Sequence, residues 1–191
     1  MEYNTFDNLL INESKMFNEK NIQNVFLISD THFNHEKIGI YCDRPKDWQN
    51  IIIRNWNNIV NKNDVVLHLG DFGFGSKERV LEIRNELNGE IYMIKGNHDR
   101  HSVGWYGDIG ITMYKKPFTV YIKDEPYLFS HAVKPCKYNI IGINGHWHNK
   151  SSFVTIINNN PHVNISVEQI NYTPIKFKDL IKKINIHGHF I

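Results

Sequence analysis

The residues of this sequence that could do chemistry lie in five short polar clusters. In chain order the clusters are Asp30-Thr31-His32, Gly70-Asp71, Gly96-Asn97-His98-Asp99, Ser130-His131 and Gly145-His146-Trp147-His148. Each follows a short apolar run that is typical of a buried strand. Ligands bind at the carboxyl ends of strands in open α/β sheets. We therefore predict that the clusters converge on one crevice.

Together the clusters supply oxygen and imidazole donors but no thiolate. The donors are Asp30, His32, Asp71, Asn97, His131, His146 and His148. Such a set suits divalent ions, and we expect Mn²⁺, with Fe, Zn²⁺ and Ni²⁺ as alternatives; a structural zinc site usually recruits cysteine. These are too many donors for one ordinary site. With one bridging carboxylate they make two sites with open positions, as in two-metal centres whose ions lie about 3.5–4 Å apart.

Apolar periodicity predicts the elements that must position these donors. Short buried strands over residues 25–28, 65–69 and 91–94 alternate with helices over 47–60, with Asp47 as its cap, and 76–87. The alternation favours an α/β architecture with parallel strands in the first half. The second half is strand-rich. Its predicted elements are strands at 119–122, 127–130, 140–144, 153–157 and 163–167 and a last helix over 175–184.

Length and charge limit the possible classes of protein. A length of 191 residues predicts one domain. The 22 Lys and Arg against 20 Asp and Glu give a net charge of +2, which does not predict a strongly polyanion-binding surface. We divide the chain into an N-terminal extension, 1–24, and a single domain, 25–191. The apolar runs are too short to cross a bilayer, and the two cysteines show no CxxC spacing. We therefore expect a cytoplasmic protein with reduced thiols.

The ordered motifs DxH, GD, GNH(D/E), H and GHxH resemble the signature of the calcineurin-like metallophosphoesterase family. The resemblance spans roughly residues 25–167, and the stretches 29–35 and 41–45 are most similar to small bacterial and phage-type members. It implies the metallophosphatase fold, a four-layer α/β/β/α sandwich with two mixed β-sheets. It also implies a binuclear metal centre at the strand ends.

The resemblance assigns a role to each donor. Asp30, His32 and His148 would bind the first metal; Asn97, His131 and His146 would bind the second; Asp71 would bridge the two. The implied reaction is in-line attack of a metal-bound hydroxide on phosphorus, with His98 protonating the leaving oxygen. His98 also exceeds the ligand count, which leaves it free to hold a proton. Asp99 is a candidate to orient His98.

The residues around the motifs narrow the substrate. Phe72-Gly73-Phe74-Gly75 stand where serine/threonine protein phosphatases carry a second Asp and an Arg, and the chain lacks the length for the accessory regions of repair nucleases. We therefore expect a small phosphodiester or a nucleotide. Arg44 and Arg100 are candidates to bind its phosphate. Tyr41, Trp48, Trp105 and Trp147 could stack on a nucleobase, but core packing is the default for all except Trp147.

Two other functions remain open at this point. One is a non-catalytic metal-binding scaffold on the same fold, and the other is a small nuclease. The native metal, the preference for monoester or diester and the oligomeric state are not indicated by the sequence. Of the other histidines, we expect His68 in the core, between Leu67 and Leu69, and we assign no role to His187 and His189 near the C-terminus.

Overall fold

A computed structural model describes residues 17–137 and 139–186 of the chain. The first sheet contains β1 (Phe26–Ile28), β2 (Val65–His68), β3 (Glu90–Ile94), β4 (Ile111–Tyr114) and β10 (Ile175–Lys176). Its strand order is β10-β1-β2-β3-β4. Strands β1 to β4 run parallel and β10 pairs antiparallel with β1, so the sheet is mixed.

The second sheet is formed by the strand-rich half of the chain. It contains β5 (Phe118–Ile122), β6 (Glu125–Phe129), β7 (Ile141–Asn144), β8 (Val154–Ile157) and β9 (Asn160–Asn164), in the order β5-β6-β7-β9-β8. Strands β6, β7 and β9 run parallel, and the outer strands β5 and β8 pair antiparallel with their neighbours. Two mixed sheets with helices confirm the predicted α/β class.

Five α-helices and two short 3₁₀ helices connect the strands in the described part of the chain. The α-helices are α1 (Glu36–Tyr41), α2 (Trp48–Ile59), α3 (Lys77–Glu86), α4 (Val103–Asp108) and α5 (Phe177–Ile186), and the 3₁₀ helices are Ile22–Asn24 and Val167–Ile170. The predicted helices over 47–60 and 76–87 are confirmed as α2 and α3. Helix α1, helix α4 and strand β4 were outside the predicted elements, since each is short.

Three details of the predicted elements are wrong. The strand predicted over 163–167 lies at Asn160–Asn164, because Asn160 and Pro161 pair with Ile157 and Ile156 of β8. Asp47 occupies the N-cap position of α2, but its carboxylate accepts a bond from the Asn50 side-chain amide instead of a backbone N–H. The last helix begins at Phe177, because Ile175 and Lys176 extend to pair with Leu27 and Phe26 of β1. Pairing with the free edge of the sheet outweighs the helical periodicity of these two residues.

Aromatic side chains join the two sheets into one core. The Phe17 ring lies 5.3 Å from that of Tyr92 in the first sheet and 5.4 Å from that of Phe118 in the second. Phe129 of β6 contacts Phe177 of α5, with 5.3 Å between ring centroids. Phe17 belongs to the segment that we describe as an N-terminal extension; residues 1–16 of that segment lie outside the described chain.

Helix α2 shows how an amphipathic pattern is used. Its Trp48, Ile52 and Trp56 are buried at spacings of four residues, and the Trp56 Nε1–H donates to the Asn88 carbonyl over 2.8 Å. The same helix leaves Ile59 39% exposed. No helix in the described part of the chain has the length and apolar character needed to span a bilayer.

Ile52→Ala and Ile59→Ala form a matched pair on α2. Ile52 is fully buried, so its truncation should lower the free energy of unfolding by about 2–5 kcal/mol. Ile59→Ala should cost less than about 1 kcal/mol, because its side chain is partly in water. Urea denaturation followed by circular dichroism measures both values. Equal losses would contradict the placement of α2.

Candidate metal centre

Loops from both sheets meet at one place. Backbone bonds fasten them: the Asp30 N–H donates to the Gly70 carbonyl over 3.0 Å, and the Gly145 N–H donates to the His131 carbonyl over 2.9 Å. The His146 N–H donates to Oδ2 of Asp30 over 2.8 Å and so ties the loop after β7 to the loop after β1. The clusters therefore converge, as their positions after strands predict.

Close approach of these loops requires glycine. A Cβ on Gly70 would lie 2.6 Å from the Gly96 nitrogen, and Gly70 has a φ of +99° that L side chains rarely adopt. A Cβ on Gly96 would overlap the Asp71 carboxylate. We call the loops that follow β1, β2 and β3 the first, second and third loops. The second and third loops can therefore touch only because both positions lack a side chain.

Five of the predicted metal ligands have left-handed backbone conformations. Their φ angles lie between 49° and 71° and belong to Asp30, His32, Asp71, His146 and His148. For residues other than glycine such a conformation is uncommon and costs of the order of 1–3 kcal/mol each. Strain of this kind persists only where the surrounding structure enforces it. Its concentration here marks the place as a site.

The first group of candidate ligands is Asp30, His32 and His148. Oδ1 of Asp30 lies 3.6 Å from Nε2 of His148 and 3.8 Å from Nε2 of His32. Both Asp30 Oδ1 and His32 Nε2 are buried without a hydrogen-bond partner. Buried polar atoms are almost always satisfied, so two unpaired atoms that face each other fit a bound cation.

The second group is Asp71, His131 and His146, with Asn97 beside them. Nδ1 of His131 lies 2.8 Å from the Leu69 carbonyl, which only accepts, so Nδ1 carries the proton. The unprotonated Nε2 then faces Oδ1 of Asn97 at 2.8 Å and Nδ1 of His146 at 3.2 Å. Lone pairs that converge in this way fit a cation between them.

Asp71 belongs to the second group and also approaches the first. Its Oδ2 is 3.6 Å from Nε2 of His32 in the first group and 3.4 Å from Nε2 of His131 in the second. Its Oδ1 accepts the backbone N–H of His98 over 2.8 Å. One carboxylate oxygen is therefore within reach of both groups, which is the arrangement predicted for a bridging ligand.

Burial and mutual charge shift the pKa values of these groups in opposite directions. Burial, together with the charge of Asp30, raises the pKa of Asp71 to about 7. Burial opposes ionisation of Asp30 as well, but the nearby rings of His32, His131 and His148 hold its pKa well below the usual range. Burial also lowers the pKa of His32 to about 4.

His98 lies beside both groups but outside them. Its half-buried ring is 5.5 Å from the His32 ring and 5.5 Å from the Phe74 ring, measured between centroids. Burial and the positive charge of Arg100 lower the pKa of His98. Arg100 is exposed, and its role in binding substrate stays a prediction.

The structure corrects the role expected for Asp99. Its Oδ2 accepts the backbone N–H groups of Asp71 and Gly96 over 2.8 and 2.7 Å, and its Oδ1 accepts the Phe72 N–H and the Tyr106 hydroxyl, each over 3.1 Å. These bonds use the carboxylate to join the second and third loops. Asp99 therefore positions backbone and does not orient the His98 ring.

The role expected for Arg44 is corrected as well. The guanidinium group is fully buried and donates to the carbonyls of Asp30 and Thr31 over 2.7 and 2.9 Å. It also donates through Nε to Oε1 of Glu168 over 2.8 Å. The N–H groups of Arg44 thus bond to acceptors within the protein. Arg44 therefore holds the first loop in place and does not bind a phosphate.

Glu168 lies beside the candidate ligands and is not among the residues predicted from the sequence. It lies in the 3₁₀ helix Val167–Ile170, and its Oε1 is 3.1 Å from Nδ1 of His148. This contact leaves Nε2 of His148 to face Asp30. Burial opposes a charge on His148, but contacts with Cys42 and Glu168 and the nearby Asp30 raise its pKa to about 10. No motif contains Glu168, so only the tertiary structure could reveal it.

The remaining predicted histidines and aromatic residues have varied outcomes. His68 is buried, as predicted: its Nδ1 accepts the Gly70 N–H over 3.1 Å, and its Nε2 lies 3.0 Å from the Thr31 hydroxyl. Trp48 is buried, and Trp147 is half-buried between two candidate ligands. Tyr41 is 63% exposed, contrary to the default of core packing. His187 and His189 lie outside the described residues.

The sequence model of the calcineurin-like phosphoesterase family matches residues 24–189, most of the chain. The chain belongs to this family. Membership makes the protein a hydrolase of phosphoesters and a member of a metal-dependent family, in agreement with the two groups of candidate ligands. It also confirms the resemblance carried by the five motifs.

Relatives of the chain include proteins without an assigned activity. The uncharacterized protein MJ1445 of Methanocaldococcus jannaschii is 36% identical over 180 residues, which cover 89% of this chain and 96% of the relative. The crystal structure of AQ665 from Aquifex aeolicus, a protein of unknown function, is 24% identical with a TM-score of 0.63 over 83% of this chain and 98% of that one. The latter match confirms the fold.

Glu168→Gln should weaken metal binding, because the neutral amide pairs less strongly with His148 and Arg44. We expect the affinity for Mn²⁺, measured by isothermal titration calorimetry, to fall about 10–100-fold. Glu82→Gln, an exposed exchange of the same kind on α3, is the control and should leave the affinity unchanged. Wild-type affinity in Glu168→Gln would refute the positioning role.

Metal binding should release protons. Without metal, His148 with its pKa of about 10 holds a proton at neutral pH, and Asp71 with its pKa of about 7 holds one in part. A metal ligand must lose its proton, so the apparent affinity for Mn²⁺ should rise from pH 6.5 to 8.5, up to about tenfold per pH unit for each proton released. Calorimetry in buffers of different ionisation enthalpy counts the protons. An affinity independent of pH would contradict these pKa shifts.

Proposed function

We propose that the protein is a two-metal-dependent phosphodiesterase for a small substrate such as a nucleotide diester, with His98 as general acid. The observation that carries this proposal is the position of Asp71. Its Oδ2 lies within 3.6 Å of ring nitrogens from two separate ligand groups. A shared carboxylate between two sets of donors is the arrangement of a binuclear centre.

The donor set fits two divalent ions, and Mn²⁺ suits its mixture of imidazole, carboxylate and amide oxygen. Asp30, His32 and His148 would hold one ion; Asn97, His131 and His146 would hold the other; Asp71 would contact both. Bound ions of this kind supply an activated water nucleophile and neutralise charge on the phosphoryl oxygens. The chain itself contributes the fixed positions of the donors, which the left-handed loops and the buried Arg44 maintain.

The position of His98 supports a role as the acid that protonates the leaving group. Its backbone N–H is held by Oδ1 of Asp71, which sets its ring next to the centre, although the ring is outside both ligand groups. A histidine free of metal can hold a proton and give it to the leaving oxygen as the bond to phosphorus breaks. The lowered pKa of His98 makes its imidazolium form a stronger acid.

Charge favours a diester over a monoester. A diester carries one negative charge and a monoester two, and Arg44 is occupied inside the protein. Of the two candidate arginines, Arg100 alone has an exposed side chain. The net charge of +2 also favours a small substrate over a nucleic-acid polymer or a membrane surface. The free thiols of Cys42 and Cys136 support a cytoplasmic location.

Two substitutions separate catalysis from metal binding. His98→Asn should keep both ions and lower kcat about 10²–10⁴-fold, because the proton donor is lost. Asp71→Asn should lose metal from both groups, because the shared ligand is weakened. Metal content is measured by elemental analysis after dialysis, and turnover by Mn²⁺-dependent hydrolysis of bis(p-nitrophenyl) phosphate and p-nitrophenyl phosphate.

Three results would contradict the proposal or a part of it. Equal metal loss in His98→Asn and Asp71→Asn would refute the division of roles between them. Absence of turnover with either ester, in protein that binds two ions, would indicate a metal-binding scaffold. Faster hydrolysis of the monoester than of the diester would overturn the diester preference alone.

A further inference from the structure

A row of aromatic side chains begins beside His98 and ends at an exposed tyrosine. Three rings form it, and we call them the aromatic ledge: Phe74, His35 and Tyr41. The Phe74 ring is 5.5 Å from the His98 ring, His35 stacks on Phe74 at 4.4 Å and 18°, and Tyr41 follows 6.5 Å from His35. The ledge therefore runs from the site to the outer end of α1.

Exposure increases along the aromatic ledge. Phe74 and His35 are half-buried, whereas Tyr41 is 63% exposed and its neighbour Ile40 is 81% exposed. Helix α1 buries Ile38 and turns these two side chains to the solvent. These two large exposed apolar side chains, at the end of a row of rings that starts at the site, form a surface on which a ligand can lose contact with water.

The position of the general acid indicates which part of the substrate contacts this surface. A general acid must reach the leaving oxygen, so the leaving group departs on the side of His98. The aromatic ledge begins at Phe74, whose ring lies 5.5 Å from the His98 ring and 5.6 Å from the His32 ring, so it borders both the proposed acid and the first ligand group. A group attached to the leaving oxygen can therefore reach Phe74 and His35 and extend towards Tyr41.

We propose that the aromatic ledge binds the base of a nucleoside leaving group, with Tyr41 as the stacking residue that sets this specificity. The inference rests on the proposed function, because it takes His98 as the general acid. It assigns a substrate class to the site: a phosphodiester whose leaving alcohol belongs to a nucleoside.

The form of the surface favours a base over an aliphatic chain. A hydrocarbon chain gains most from an enclosed apolar groove, whereas the aromatic ledge is open and its last ring is largely in water. A nucleobase can place its face on such a ring and keep its polar edge hydrated. Trp105 is half-buried and already carries His101 on one face, at 3.9 Å and 13°, whereas Tyr41 is 63% exposed.

The test compares two diesters with alcohol leaving groups, a dinucleoside monophosphate and bis(glycerol) phosphate. Tyr41→Ala should lower kcat/KM for the dinucleoside monophosphate about tenfold, mainly through KM, and change the value for the glycerol diester less than twofold. Tyr41→Phe should restore the ratio, because the ring face is kept. Tyr121→Ala, which removes a 64% exposed tyrosine from β5, is the matched control and should change neither value.

A binding measurement gives a second readout that does not need turnover. Saturation-transfer NMR should show contacts from the wild-type protein to the base protons of adenosine 5′-monophosphate, and Tyr41→Ala should weaken them, whereas Tyr121→Ala should not. These signals test the contact between the base and Tyr41 even if neither diester is hydrolysed. Absence of hydrolysis would refute the proposed function, whereas absence of base contacts would refute the inference alone.

Three results would overturn the inference and leave the proposed function intact. The first is hydrolysis of both diesters with a ratio that Tyr41→Ala does not change. The second is loss of the nucleotide preference in Trp147→Ala but not in Tyr41→Ala, which would place the base on the other candidate ring. The third is base contacts of equal strength in Tyr41→Ala and wild-type protein.

Discussion

The fully buried carboxylate of Asp30 is the constraint on which both sheets depend. Its Oδ2 accepts the His146 N–H and the Ser166 hydroxyl, so loops that follow β1, β7 and β9 end at one oxygen atom. Its Oδ1 faces the rings of His32 and His148. An ionised carboxylate is costly to bury unless donors and positive charge surround it, and here they do. The interactions that make this burial tolerable also set the geometry of the site.

Around this carboxylate, the residues with strained backbone conformations differ from the residues whose hydrogen bonds hold them in place. The strained residues are themselves candidate ligands, and the residues that hold them belong to other parts of the chain: Arg44, Asp99 and Glu168. Arg44 and Glu168 connect the first loop to His148, and Asp99 connects the second loop to the third. Charged side chains are thus used to fix backbone, which places the donors without taking part in their chemistry.

The strand ends and their donors could be predicted from the sequence, because a polar residue directly after a buried strand has few other places to go. The supporting residues could not. Arg44 lies near a motif, but its buried guanidinium depends on Glu168, 124 positions later. Strand β10 has two residues and exists only because β1 offers a free edge. The exposure of Tyr41 could not be predicted from its residue type, since tyrosine is common in cores. It depends on the position of Tyr41 as the last residue of α1.

The pairing of β10 with β1 has a consequence for the order of folding. Strand β1 is synthesised early, but its outer neighbour arrives about 150 residues later, as do the Ser166 hydroxyl and Glu168 that hold its loop. During synthesis the strand that carries Asp30 therefore keeps an open edge, and its carboxylate stays hydrated until the second sheet has formed. Assembly of the site is a late event, coupled to the docking of one half of the chain on the other.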